Sequence, residues 1–309
     1  MVLIWGLGMN RKQWLNGRIT VYHGNCFDVM RDLDCKVDAI ITDPPYGILN
    51  HKIETGIDIE AFLTSCKKIL NDNSFIIYFG QQPMLTDWNV LANNIFNYKN
   101  EVIWYKRQNS SPFQKMGRVF ENIMIYENGL GKYKDIKRKY TDVKRSLAEY
   151  EGWDSLQRNL SSLDNLATEK NFQELREFLK NGIMPMGTWN SSNNETFIKQ
   201  KATSGRSIAV YKVMTEGSAP RNLVSFNERK FKSNKFQHPT IKPLALMSYL
   251  IELCTNKDDI IFDGFLGSGT TAAACIRTGR RFVGCELDEG YFNGICERLD
   301  DETKQLTLF

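Results

Sequence analysis

The chain has 309 residues, 42% of them hydrophobic and 25% charged, and its formal net charge is +4. That usage supports one or two compact domains with a sizeable core, and it excludes disorder, collagen and coiled coil as descriptions of the whole. No run reaches the roughly 18 uninterrupted apolar residues of a spanning helix; the best candidate, Ile260 to Ile276, is broken by Asp263 and three glycines.

The apolar stretch Met1 to Met9 meets its first positive charges, Arg11 and Lys12, only afterwards. A secretory signal carries them before its apolar run, so the expectation is a cytoplasmic protein with no membrane attachment. The seven cysteines contain no C-x-x-C pair and the chain has only three histidines, so spacing assembles no zinc site. The cysteines lie in apolar or small-residue surroundings and read as buried structural thiols. Charge becomes informative once it is localised. Lys132 to Arg145 holds seven Lys/Arg against two Asp, and Lys201 to Lys242 holds nine against two Glu. The remainder of the chain is therefore acidic, and the asymmetry points to a polyanionic partner for one face.

In chain order, Arg18 to His23 alternates between Gly17 and Gly24 and predicts a strand. Val37 to Thr42 is a β-branched run stopped by Asp43-Pro44-Pro45, where two prolines end any ladder. Ile59 to Leu70 has helical apolar spacing. Ser74 to Phe79, Glu101 to Tyr105 and Asn122 to Tyr126 predict further strands. Alternating strands and helices imply an α/β, mostly parallel sheet with helices on both faces. From about 129 to 236 the pattern gives way to a polar, basic region with predicted helices over 142–150, 154–168 and 171–180. The α/β pattern then resumes: helix over 241–254, strand 259–262, helix 270–278, strand 281–286 and helix 289–299. The expected organisation is one α/β domain built from 18–128 and 237–303, with a basic module, 129–236, inserted.

Asp263 to Thr271 is a glycine loop between a strand and a helix. Gly267 and Gly269 permit a tight turn and close ligand approach, and the helix start offers free N–H groups. As a phosphate-binding P-loop it lacks the lysine that should follow Gly269, because Thr270 stands there. As a nucleoside-binding turn it needs an acid about 20 residues on for the ribose hydroxyls, and Glu286 lies 17 beyond Gly269. This favours an adenosine-containing cofactor without separating a dinucleotide from S-adenosylmethionine.

Asp43-Pro44-Pro45-Tyr46 bears on that choice. An exocyclic amine of adenine or cytosine delocalises its lone pair into the ring and is a poor nucleophile. Two acceptors on its hydrogens, the Asp43 carboxylate and the Pro44 carbonyl held by fixed proline φ, would draw the lone pair towards a methyl donor. Tyr46 offers a flat face for a flipped base.

These motifs, with His238 to Pro243 between them and Glu286 to Asp288 at the end, resemble the β-class DNA amino-methyltransferases. The resemblance spans about 18–127 and 218–300, with the catalytic turn preceding the cofactor loop and a target-recognition module between. It implies a Rossmann-like fold, S-adenosylmethionine as methyl donor and a flipped base in double-stranded DNA as acceptor. It assigns catalysis to Asp43, Pro44, Pro45 and Tyr46. Cofactor contacts fall to Asn25, Cys26, Asp43, Thr240, Lys242, Pro243, Asp263, Phe265, Gly267, Ser268, Gly269, Thr270 and Glu286. The family's usual Gly-Asp-Cys is here Gly24-Asn25-Cys26, its Asp-Pro-Phe is Asp263-Gly264-Phe265, and Phe120 stands before Glu121 where a His is frequent. In the basic block Lys137, Arg138, Lys139, Lys144, Arg206, Arg229 and Lys230 are the candidate DNA contacts. Adenine N6 is the expected target, since cytosine-N4 enzymes often carry Ser in place of Asp in the turn. Cytosine N4, a catalytically silent DNA-binding module, a P-loop ATPase and an RNA substrate are the alternatives. A homodimer and a cognate restriction endonuclease are the further partners considered.

Overall fold

The computed structural model of the chain describes residues 10–45, 56–106, 119–136, 222–226 and 241–306. The chain divides into two compact units, 1–135 with 221–309 and 136–220, and all the elements below belong to the first. Its strands are β1 (Arg11–Trp14), β2 (Ile19–His23), β3 (Val37–Thr42), β4 (Leu70–Gly80), β5 (Asn97–Tyr105), β6 (Phe120–Asn128), β7 (Leu223–Ser225), β8 (Ile260–Asp263) and β9 (Arg281–Glu286). Its helices are α1 (Cys26–Arg31), α2 (Ile59–Ile69), α3 (Met84–Asn93), α4 (Leu244–Cys254), α5 (Thr270–Thr278) and α6 (Glu289–Leu306).

The strands form one sheet in the order β1-β2-β9-β8-β3-β4-β6-β5-β7. The inner run from β2 to β4 is parallel throughout, while β1, β6 and β5 join antiparallel and β7 pairs parallel with β5. Parallel strands must be covered on both faces, and their composition agrees: every residue of β3 except Asp38 is buried. Ile40, Ile76, Tyr78 and Phe262 pack with Val29 of α1, Phe62 and Leu63 of α2 and Leu85 and Trp88 of α3. The alternate residues Ala39, Ile41, Ile77, Ile261 and Phe282, all buried, face the other side. There α5 and α6 pack against β9, and α4 against α5.

The chain leaves β3 through α2 to β4 on one side and leaves β8 through α5 to β9 on the other. Neighbouring β3 and β8 therefore form the topological switch point, and their carboxyl ends are the usual ligand position in such sheets.

The predicted β3, α5 and β9 coincide with the observed elements. Helix α4 begins at Leu244 rather than 241, because Pro243 disfavours helical backbone in the residue before it. Helix α6 runs to Leu306, seven residues beyond its expected end. Its extra turns are fastened by Trp14 Nε1 donating to Asp300 Oδ1 at 2.7 Å and by a bidentate Arg277–Glu302 pair at 2.9 Å. The elements β1, α1, α3 and β7 had no expectation. The predicted helices 142–150, 154–168 and 171–180 lie outside the described residues.

Candidate active site

Asp43, Pro44 and Pro45 follow β3 directly, and Asp263 closes β8 beside it. Asp263 is 2% exposed, and its carboxylate knits three elements. Oδ1 accepts from Thr42 Oγ1 at 2.7 Å and from the Phe265 amide at 3.0 Å, and Oδ2 accepts from Thr271 Oγ1 of α5 at 2.6 Å. Burial pushes this carboxyl up to about 6; the bonds from Thr271, Thr42 and Phe265 restrain the rise and nearby Asp43 adds to it. Asp263 is thus the staple that holds the two strand ends of the switch point together.

Lys242, which precedes α4, reaches the same edge. Its ammonium donates to Asp43 Oδ2 and lies 3.4 Å from Glu121 Oε2. Glu121, on β6, accepts from Lys106 at the end of β5. The Lys242 ammonium also sits 4.8 Å from the centroid of the Phe79 ring. Burial alone would lower the Lys242 pKa, yet the carboxylates of Asp43 and Glu121 hold it above the ordinary lysine value. Burial would raise Glu121, yet Lys242 and Lys106 hold it below the ordinary glutamate value. The sequence expectation placed Lys242 on the cofactor; the structure pairs it with Asp43 and Glu121.

The glycine loop turns on two left-handed residues, Gly267 (φ 53°) and Gly269 (φ 77°). A Cβ on Gly269 would lie 3.2 Å from Ile295 Cγ2 as well as in a backbone region that L-residues avoid. Glu286 ends β9, in register with His23 of β2. Its Oε2 accepts from the Gly267 amide at 2.7 Å and its Oε1 from the Asp288 amide at 3.0 Å. Burial raises its pKa and those amides oppose the rise. Each carboxylate oxygen has two lone pairs, so accepting capacity remains beyond the backbone amides. That acceptor suits a vicinal diol held against a glycine turn.

Beneath the loop lies Arg298 of α6, 3% exposed, which donates to the Ser268 carbonyl at 2.7 Å and to Thr270 Oγ1 at 2.9 Å. Its burial lowers its pKa to about 10, with Glu302 opposing. The Thr270 hydroxyl, expected on the cofactor, is engaged with Arg298 and Ser268. Asn25 is the N-cap of α1, its Oδ1 accepting from the Phe27 amide at 2.9 Å. Cys26 is buried, and burial pushes its thiol up to about 12. Phe265 packs on Phe62 with ring centroids 5.1 Å apart.

The structure therefore gathers Asp43, Pro44, Lys242, Asp263, the glycine loop and Glu286 at one sheet edge. Tyr46, Thr240 and the basic candidates Lys137, Arg138, Lys139, Lys144, Arg206, Arg229 and Lys230 lie outside the described residues. Sequence reasoning assigned nothing to Lys106 and Arg298. A charge amid the apolar stripe Phe292, Ile295, Leu299 was the available signal for Arg298; nothing local marks Lys106. Among the described residues no His/Cys/Asp/Glu cluster suits a metal ion, and no helix is long and apolar enough to cross a membrane.

Known proteins share the family and the fold of this chain. The N6/N4 methyltransferase family, described as DNA methylase, matches residues 37–297. The DNA adenine methyltransferase YhdJ of Escherichia coli (strain K12) is 22% identical over 91% of this chain and 82% of its own length. Among solved structures, the M1.HpyAVI–SAM complex is 21% identical with a TM-score of 0.52, covering 91% of this chain and 99% of that one. The cytosine-N4-specific PvuII DNA methyltransferase is 12% identical with a TM-score of 0.53, covering 93% and 92%. With a family match across residues 37–297, most of its length, the chain belongs to the N6/N4 DNA methylase family.

Proposed function

We propose that this methylase transfers a methyl group from S-adenosylmethionine to the N6 amine of an adenine flipped out of duplex DNA. The observation that carries the reading is the juxtaposition of Asp43-Pro44-Pro45 with the loop from Asp263 to Thr270 across neighbouring strands β3 and β8. Glu286, which keeps accepting capacity beyond its backbone bonds, suits the ribose hydroxyls, and the left-handed glycines suit close approach of a nucleoside. When bound, S-adenosylmethionine supplies the methyl group as an electrophilic sulfonium carbon. The chain's own work is to make the amine nucleophilic. The Asp43 carboxylate accepts from one amino hydrogen and the rigid Pro44 carbonyl from the other, while Tyr46 stacks on the base and excludes water. The basic residues Lys137, Arg138, Lys139, Lys144, Arg206, Arg229 and Lys230, in the inserted region 129–236, would hold phosphates and set register.

Asp43 in the turn and the adenine-directed relative favour adenine; likeness to the PvuII enzyme supports cytosine N4 as the second reading. Incubation with labelled S-adenosylmethionine and duplex DNA, followed by mass spectrometry of the digested product, tests the choice. N6-methyladenine is expected, and Asp43→Ala should abolish it while retaining cofactor binding. N4-methylcytosine alone would make the second reading correct. Binding of DNA without any product would mark a silent DNA-binding module.

A further inference from the structure

Four charged side chains alternate in sign along the carboxyl edge of the sheet: Asp43, Lys242, Glu121 and Lys106. Three come from different strands or strand ends, and Lys242 arrives from the segment before α4. Lys242 and Glu121 are 8% and 4% exposed. Burying ion pairs is a poor route to stability, since well-packed apolar residues of similar volume do as well or better. What such a chain does provide is geometry. A carboxylate with one oxygen tied to a fixed ammonium loses its freedom to rotate, and the ammonium is fixed only if something holds its far side. Glu121 holds Lys242 there, and Lys106 neutralises the remaining charge of Glu121. Resting on the proposed methyl transfer, we infer that Lys242 and Glu121 are positioning residues: they clamp Asp43 through Oδ2 so that its carboxylate meets the substrate amine in one orientation.

Lys242 on this reading acts on the rate of transfer and not on cofactor affinity.

The test compares Lys242→Met, Lys242→Arg and Glu121→Gln in the full chain. Single-turnover transfer to duplex DNA is followed, and cofactor affinity is measured by calorimetry. For Lys242→Met we expect transfer slowed at least tenfold, with cofactor affinity within about twofold of the unaltered chain. Lys242→Arg, which keeps the charge, should recover much of the rate. Glu121→Gln is nearly isosteric and serves if Lys242→Met fails to fold; its transfer should slow severalfold at unchanged cofactor affinity. Loss of cofactor affinity with the maximal rate intact overturns the inference. No transfer by the unaltered chain overturns the proposed function and the positioning role together, whereas an undiminished transfer rate in Lys242→Met overturns the clamp alone.

Discussion

Backbone amides take up part of the accepting capacity of Glu286, and the identity of the next donor decides what this carboxylate is for. Ribose hydroxyls would bond the ionised form, and burial has raised the pKa of Glu286 in the free protein. Cofactor affinity should therefore increase as pH rises through the Glu286 titration, with a proton released on binding. Glu286→Gln replaces one acceptor oxygen by a donor and removes the charge. We expect affinity for S-adenosylmethionine to fall about tenfold to a hundredfold, matching roughly 1.5–3 kcal/mol for a hydrogen bond to a charged group. The pH dependence should vanish with it. Calorimetry in two buffers of different ionisation enthalpy reads both; an unchanged affinity would remove Glu286 from the cofactor site.

At the scale of elements, the junction of β3, β8 and α5 hangs on Asp263. Its folded pKa of about 6 stands above the ordinary 3.8, so its protonated form contributes stability below about pH 4 that is lost as pH rises through about 6. The bond from Thr42 limits that loss by favouring the ionised form. Thr42→Val should accordingly cost about 1.5–3 kcal/mol at pH 7 and less near pH 4.5, where the neutral acid needs the donor less. Urea denaturation at the two pH values measures the difference, and an equal cost at both would refute the staple. Elements such as β3, α5 and β9 were legible because each is a buried run between strong punctuation: prolines after Thr42, Gly269 and Gly279 around α5, and the polar Asp288 after Glu286. Strand β1 escaped because Arg11-Lys12-Gln13 shows no apolar alternation, and α1 and β7 are too short to establish a period. In the site, Asp43, the glycine loop and Glu286 were legible because their chemistry is local in sequence. The Lys242–Asp43 pair joins residues 199 positions apart, and no window of sequence contains both.

The whole molecule has to find its base among a large excess of others. An α/β edge offers one pocket, so reading several base pairs calls for side chains beyond the core, with cations on flanking phosphates. If the basic runs of the inserted region make those contacts, neutralising three of Lys137, Arg138, Lys139 and Lys144 should flatten the slope of log affinity against log salt by about two to three units. Fluorescence anisotropy with labelled duplexes between low and moderate salt reads the slope. A slope and sequence preference both unchanged on neutralising either basic run would return recognition to the loops of the core.

The strand order also sets a timetable. The middle of the sheet, β8 and β9, is encoded last, yet it lies between β2 and β3, which are encoded first. A nascent chain that has reached residue 136 carries the outer parts on either side of a gap, with Asp43 present and its facing loop not yet made. The edge is complete only when β9 has left the ribosome. Every polypeptide long enough to possess it has therefore already acquired the basic region encoded upstream, and premature termination cannot release a complete edge without that region.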